Sequence, residues 1–403
     1  MSNTTEEVNK VYSKKNPSTY FRDEKLIDSF IENRKQFLHK LKLPPRLFIN
    51  TTLIDYGCGM GQNTLVFDHL GSSCTLLEFD KYSFDNAKKL FSKHAKNKFK
   101  VINTDLFKFS SEKKFDFVVS NGVAHHTKDP LENLNMCCKA LKVGGFFILG
   151  IGNKAGFFQR NFQRYILYSI SENNDDIIKY SKILFKDHLR RAVKFSGRDI
   201  YEIIYDTYIN PKINTVGTNE ILNLFYKHNL SLYSSYYDLK NLGQFLETNA
   251  NQFQAINSPK NKLKVKDNIF FSDFEDISLS NNNLNNQNLL KQFKLVFPIF
   301  NRITNDINDL NYSNFNVNKD NFLNDIKSYK NKILNIKKID IINKKHNKKF
   351  FNEVIEIIRV LNNKKKNKND KFFLIKKIID NTENIFKSVN GVGLNYYCGY
   401  KNK

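Results

Sequence analysis

The stretch NGVAHHTKDP, residues 121–130, sets two adjacent histidines between an apolar run and an Asp-Pro pair. Imidazoles serve as metal ligands, proton acceptors or ordinary helix-start residues. Neighbours on a turn point in different directions and do not readily ligate one ion together, and no Cys or acidic cluster completes a ligand set, so no metal is expected. What stays open is whether His126 acts as a base and His125 contacts a substrate, or whether the pair packs beside a ligand or caps the next helix. A second stretch, DYGCGMGQNT (55–64), carries glycines at 57, 59 and 61. A dinucleotide loop has the spacing G-x-G-x-x-G, which brings a pyrophosphate to the backbone at a helix N-terminus. Here Gln62 stands where the third glycine of that spacing would be. The pattern D-x-G-x-G-x-G suits a ligand without phosphates, lying on a loop whose small residues let it touch the main chain; a plain strand-to-helix turn is the alternative.

The elements that must position these groups are legible in residues 51–151, which read as alternating strands and helices with short connections and hence as a parallel sheet covered on both faces. TTLIDYG enters the glycine loop, and QNTLVFDHLG is a helix ended by Gly71. CTLLEF, FKVINTD and FDFVVSN are the next three strands. SFDNAKKLFSKHA places Phe84, Ala87, Phe91 and Ala95 near one helical face, with Ser83 as the expected N-cap. DPLENLNMCCKAL begins with Asp129 as cap and Pro130 in the first position. After a turn at Gly144-Gly145, FFILGI is the fifth strand. Glu78, Asp105 and Asn121 then fall at the carboxyl ends of parallel strands, where open α/β sheets bind ligands. An acidic residue at the place of Glu78 can accept both hydroxyls of a ribose, and Asp105 can accept from an exocyclic amine.

The segments LIDYGCGMGQNTLVF, LLEFD, INTDLF, FDFVVSNGVAHHTKDP and LKVGGFFILGI resemble, in order and interval, the successive motifs of class I S-adenosylmethionine-dependent methyltransferases, most closely those of bacterial small-molecule enzymes. The resemblance is strong over 50–151 and extends to about 238. It implies a Rossmann-like α/β fold with a mainly parallel seven-stranded sheet whose last strand is antiparallel. It also implies S-adenosylmethionine as cofactor, held by Asp55, Gly57, Cys58, Gly59, Gly61, Glu78, Phe79, Asp105, Leu106, Asn121 and Gly122. The family's usual Asp at the ribose position is Glu78 here.

Residues 1–45 are expected to be a helical segment and 46–238 the catalytic core, with a helical substrate lid over 155–217. Within that lid YDTYINPKINTVG (205–217) reads as a loop. Its Tyr205 and Tyr208 are candidate substrate contacts and Asp206 a second candidate base, against the alternative of a loop cap. Arg190, Arg191 and Arg198 read as a solvated helix face rather than a clamp for an acidic substrate. NLSLYSSYYD (229–238) has strand character. Beyond it come Asn-rich stretches such as NNNLNNQN and Lys-rich helical patterns near 288–308, 320–342, 349–362 and 371–388. If GVGLNYYCGYKNK (391–403) returns as the seventh strand, 239–390 is a long basic insertion in a hairpin; an independent second domain is the alternative.

The chain has 403 residues, 36 Phe, 19 Tyr and no Trp, enough apolar material for a sizeable core. Five scattered cysteines fit neither a disulfide framework nor a zinc site, which points to a reducing, cytoplasmic setting. MSNTTEEVNK has no basic start followed by an apolar run, and the longest apolar run is GFFILGI, so neither a signal peptide nor a membrane span is expected. The net charge of +24 is spread over both halves and fits a compositional bias toward Lys and Asn. A small molecule is therefore the expected acceptor and a nucleic acid the lesser expectation, since the fourth strand ends in SNGV and lacks the Asn/Asp-Pro-Pro-Tyr element that stacks a flipped base. A cofactor-binding protein without activity is the third reading.

Overall fold

The computed structural model describes residues 19–236, 287–308, 319–335, 344–382, 385–386 and 394–403. Parts of the expected N-terminal segment (1–18), most of the Asn-rich stretch, residues 336–342 and 387–388 of two helical patterns, and 391–393 of the last strand lie outside them. Strands β1 (Thr52–Tyr56), β2 (Ser73–Glu78), β3 (Phe99–Asn103), β4 (Phe115–Asn121) and β5 (Leu141–Gly152) are joined by β6 (Leu230–Tyr236) and β7 (Leu394–Lys401) in one sheet of order β3-β2-β1-β4-β5-β7-β6. The first five pair in parallel, and β7 runs antiparallel to both β5 and β6. The expected seven-stranded, mostly parallel sheet is thus present.

Side chains alternate between the faces of a strand, and a sheet covered on both sides is apolar at every position. Leu53, Leu76, Phe117, Val119, Ile148 and Cys398 feed one core, under α1 (Ile27–Lys40), α2 (Gln62–His69) and α3 (Lys81–His94). Their neighbours Ile54, Leu77, Val118, Phe147, Leu149 and Tyr397 feed the other, under α4 (Pro130–Ala140) and α5 (Lys154–Ile170). All five cysteines are buried and free.

Three local expectations are corrected. The α3 cap is Asp80, whose carboxylate accepts from the Ser83 amide at 2.8 Å, so the helix begins two residues before Ser83. Gly144 and Gly145 do not form a turn: they lie within β5, where a register shift against β4 absorbs the extra residues. A Cβ on Gly145 would stand 2.7 Å from the Asp116 carbonyl oxygen, so the bulged strand needs glycine there. Tyr205–Ile209 is no loop either. It continues the short helix α8 (Ile200–Ile204) as a π-helical turn, closed by the Asn210 amide donating to the Tyr205 carbonyl at 2.8 Å, and Pro211 then ends it. Two more helices, α6 (Asn174–Leu184) and α7 (Lys186–Ser196), precede it, and α9 (Thr218–Lys227) leads into β6.

Residues 237–393 stand between two hydrogen-bonded neighbours, β6 and β7. Their described helices α10 (Gln287–Asn308), α11 (Lys319–Asn335), α12 (Lys344–Asn362) and α13 (Lys368–Asn381) join the same apolar cluster as α5. Phe322 lies 5.2 Å from Tyr165, Phe350 6.4 Å from Phe158 and Phe386 6.2 Å from Phe162, ring centre to ring centre. One face of α5 is therefore fixed by the inserted helices, which leaves the other to face the sheet's carboxyl end. Among the described residues no helix is long and apolar enough to cross a membrane.

Candidate active site

The loop after β1 is held by its own backbone. The Gly57 and Cys58 amides both donate to the Leu77 carbonyl at 3.0 Å, and the Gly59 amide donates to Glu78 Oε2 at 2.7 Å. Gly57 has φ +89°, and a Cβ there would meet Val123 Cγ1 at 2.6 Å. Gly61, at φ +75°, abuts Ala87 as the residue before α2. The close approach of Val123 couples the glycine loop to the segment carrying the histidine doublet. Gly57→Ala is expected to cost about 1–3 kcal/mol in backbone strain and about 1–3 kcal/mol in overpacking, and to impair the loop as a ligand surface. Gly122→Ala, at φ +77° with nothing within 4 Å of its Cβ, is expected to cost only the first. Chemical denaturation of both variants checks the contrast, and equal losses would contradict it.

Around this loop stand the acidic groups. Asp55 is buried; its Oδ2 accepts from Thr64 Oγ1 at 2.5 Å, while Oδ1 has no hydrogen-bond partner among the described residues. Burial pushes its carboxyl up to about 7 against the lowering effect of Thr64. Glu78 accepts from the Asp80 and Gly59 amides, yet burial also pushes it up to about 7. Asp105 Oδ1 accepts from the Phe107 amide at 3.0 Å and so caps the turn that carries buried Leu106. The Phe79 carbonyl accepts from Asn103 Nδ2 at 2.9 Å. Asn121 ends β4 opposite Gly150, where a Cβ would lie 2.5 Å from its Oδ1. It hydrogen bonds Tyr396, which also meets Arg34. The Gly122 amide donates to the Gly150 carbonyl at 2.8 Å.

The two histidines part company. The His125 ring is buried; its Nδ1 accepts from the Gly152 amide at 3.4 Å, and burial, with His126 and Arg160 nearby, holds it well below the ordinary imidazole value. His126 instead reaches toward the π-helical turn and the residues that follow it. Its Nδ1 lies 2.8 Å from the Lys212 carbonyl and its Nε2 3.5 Å from Asp206 Oδ1. Asp206 Oδ2 accepts from Arg198 Nη1 at 3.1 Å. Burial alone would raise Asp206, but Arg198 and His126 hold it below the usual carboxylate range. Burial lowers His126, opposed by Asp206 and the Lys212 carbonyl. A neutral imidazole can donate to only one of these two acceptors, whereas an imidazolium satisfies both. Asp206 faces His126 because the π-helical turn adds a residue just before the chain leaves the helix.

Tyr208 is buried, and its hydroxyl donates to Gln163 Oε1 at 2.9 Å, which also lies 2.8 Å from His188 Nδ1. Burial, with Arg160 and Arg191 nearby, lowers His188 to about 3, so it is neutral. Tyr205 is half-buried and packs against the apolar core. Among the described residues no three His, Cys, Asp or Glu side chains gather as metal ligands would. Arg190 is exposed and paired with Asp187, while Arg198 belongs to the site.

Several members escape a reading of the sequence. The chain before α1 is laced over the loop: Gln62 Oε1 accepts from the Tyr20 amide and Gln62 Nε2 donates to the Phe21 carbonyl, at 2.6 and 2.8 Å. Arg22 pairs with Glu202 at 2.9 Å, joining that segment to α8. Arg160, Gln163 and Arg164 come from α5. Arg164 Nη2 donates to the Asn210 carbonyl at 2.7 Å, and the Arg160 guanidinium lies 4.7 Å above the Phe157 ring. None of these has a local signal beyond a polar residue on an amphipathic helix.

Residues 54–149 match the family model described as a methyltransferase domain. That stretch of the chain is a methyltransferase domain. No curated protein matches the chain. Among solved structures, the methyltransferase domain and its surroundings resemble the YcgJ protein of Bacillus subtilis, with 14% identity and a TM-score of 0.31 over 51% of this chain and 69% of that one. Magnesium protoporphyrin IX methyltransferase from Synechocystis PCC 6803 with bound S-adenosylhomocysteine has 12% identity and a TM-score of 0.31, covering 58% and 80%. PKMT2 of Rickettsia typhi has 18% identity and a TM-score of 0.42, covering 57% and 48%. The donor set fits the methyltransferase cofactor. The buried Asp55 Oδ1 can accept from a cationic amine, Glu78 retains lone pairs for hydroxyl groups, and the Gly57 to Gly61 loop admits close approach.

Proposed function

We propose that the chain methylates a small-molecule acceptor held under the lid of residues 155–217, with 239–390 as an insertion that braces this lid. His126 takes the acceptor's proton and Asp206 holds the resulting imidazolium. Bound along the Gly57 to Gly61 loop, Glu78, Asp105 and Asn121, S-adenosylmethionine supplies a methyl carbon already activated by its sulfonium. The chain's own residues then have two tasks, to hold a nucleophile in line and to exclude water. A base is needed where the acceptor arrives as a hydroxyl or an ammonium. The observation that carries the reading is the placement of His126 between the Lys212 carbonyl and Asp206, with Arg198 fixing the carboxylate from behind. Taking up a proton gives the His126 ring two N–H groups, one facing the Lys212 carbonyl and the other Asp206.

Labelled S-adenosylmethionine incubated with separated host fractions is expected to label the soluble metabolite fraction; labelled RNA would overturn the small-molecule reading. With that acceptor in hand, His126→Ala is expected to lower turnover by about 10²- to 10⁴-fold while cofactor affinity stays unchanged. Asp206→Asn removes the charge that raises His126, so the acid limb of the pH–rate profile should move to lower pH. Wild-type turnover in His126→Ala would rule out the base.

A further inference from the structure

Methyl transfer, as proposed, leaves one group of the pocket without a task. Arg160 projects from α5 beside His126 and is partly buried. Its guanidinium has no hydrogen-bonded acceptor among the described residues and lies over the face of Phe157. The one carboxylate whose charge reaches it is Asp206, and that group is already bonded to Arg198 and turned toward His126. Arg198 lies close enough to repel it, and His125, His126 and His188 all feel its positive charge. Glu202, the other carboxylate acting on Arg198, is itself paired with Arg22, so Asp206 is the carboxylate that Arg160 and Arg198 share. A partly desolvated guanidinium with no protein acceptor offers its planar fork of N–H groups to an oxyanion, with which it forms charge-assisted, bidentate hydrogen bonds.

We propose that the acceptor carries an anionic oxygen group, a carboxylate or a phosphate, and that the Arg160 guanidinium binds it between His126 and His188. The proposal rests on the lid being the acceptor site. It makes Arg160 a specificity residue: the anion neutralises the charge surplus and fixes the orientation of the group to be methylated. Arg198 stays on Asp206, so the two arginines divide the work, one holding the carboxylate behind His126 and the other holding the substrate.

The full chain saturated with S-adenosylhomocysteine tests this without a known acceptor. Benzoate, phenyl phosphate and the neutral benzamide are titrated at constant ionic strength, and the melting temperature is followed. At least one anion is expected to stabilise the wild type saturably, while benzamide does not. Stabilisation by benzoate alone assigns a carboxylate, by phenyl phosphate alone a phosphate, and by both supports the shared anion chemistry. Arg160→Gln is expected to weaken the anion at least tenfold, Arg160→Lys to retain part of the effect, and Arg160→Gln without anion to melt no lower than wild type because it relieves a charge surplus. The proposal is overturned if neither anion stabilises the protein, if benzamide works equally well, if Arg160→Gln binds the anion as wild type does, or if that variant melts well below wild type, which would make Arg160 a packing residue. Failure of the methyl-transfer reading shows separately, as absent S-adenosylhomocysteine binding before any anion is added. Retained turnover in His126→Ala with lost anion binding in Arg160→Gln would remove the base and leave this site standing.

Discussion

A chain ending at Asn390 is expected to lose its cooperative fold and with it all cofactor binding. The missing residues include β7, which is not an edge strand: it pairs with β5 from Gly152↔Leu394 to Phe146↔Tyr400 and with β6 from Tyr236↔Tyr396 to Leu230↔Lys401. Its side chains reach both cores, Tyr397 into one and Cys398 into the other. It also ties down three helices. Tyr396 packs on Phe37 of α1 at 4.6 Å, the Tyr397 hydroxyl lies 2.6 Å from Thr218 Oγ1 at the start of α9, and Lys401 Nζ donates to the Cys138 carbonyl of α4 at 3.2 Å. A buried large side chain contributes roughly 1.5–3 kcal/mol, and a whole domain retains only about 5–15 kcal/mol. Losing a central strand, its ladders and three anchors exceeds that margin. The Asn121 contact goes as well, since Tyr396 is its partner. Circular dichroism melting and S-adenosylhomocysteine titration are the measurements. A truncated protein that melts cooperatively and binds like the full chain would show that β5 and β6 can close the sheet without β7.

The strands and loop of the proposed cofactor floor were legible because each part is local. A short, mostly apolar strand, a run of glycines, and an acidic residue at the next strand's end need no partner from elsewhere in the chain to be read. The start of α4 was legible for the same reason: Asp129 accepts from the Glu132 amide three residues on. Where two capping residues compete, as Asp80 and Ser83 do, sequence alone does not choose, and the carboxylate three residues earlier took the amide. The proposed acceptor pocket is different in kind. Which face of α5 looks into the site depends on aromatic residues more than 150 positions away, Phe322 and Phe350, that cover the opposite face. Arg160 and Gln163 are therefore ordinary polar residues until the insertion is in place. The His126–Asp206 pairing hangs on a π-helical turn, whose single extra residue leaves no signature in hydrophobic periodicity. Gln62, which broke the dinucleotide spacing, has its reason at the other end of the domain, in the main chain of Tyr20 and Phe21.

Cofactor affinity is expected to rise as pH is raised from about 5 to 7, while the stability of the ligand-free chain moves the other way. Asp55 and Glu78 are both pushed up to about 7, by burial first, with the hydrogen bonds from Thr64 and from the Gly59 and Asp80 amides only partly offsetting it. In the free protein the folded state thus holds protons that the unfolded chain releases near 4. That contribution to stability is fully present below the unfolded values and is lost as pH rises through 7. In the proposed cofactor placement the demand is reversed. Hydroxyl groups donating to Glu78 and an ammonium donating to Asp55 favour the ionised carboxylates, so below 7 binding must expel protons. Each such proton changes affinity by up to about tenfold per pH unit, equivalent to about 1.4 kcal/mol. Calorimetric titration with S-adenosylhomocysteine at pH 5, 6, 7 and 8 measures the slope directly. Glu78→Gln should lower affinity at pH 8 and remove its share of the slope, leaving the part carried by Asp55, and Asp55→Asn should do the converse. A flat profile in the wild type would mean that neither carboxylate changes protonation on binding, and that the cofactor does not rest on these two groups. A full slope surviving in Glu78→Gln would place the ribose elsewhere while leaving Asp55 engaged. Because the carboxylates are ionised both in the unfolded chain and in the bound state over this range, the melting-temperature shift produced by saturating cofactor should grow from pH 5 to 7 as the free protein's own melting temperature falls.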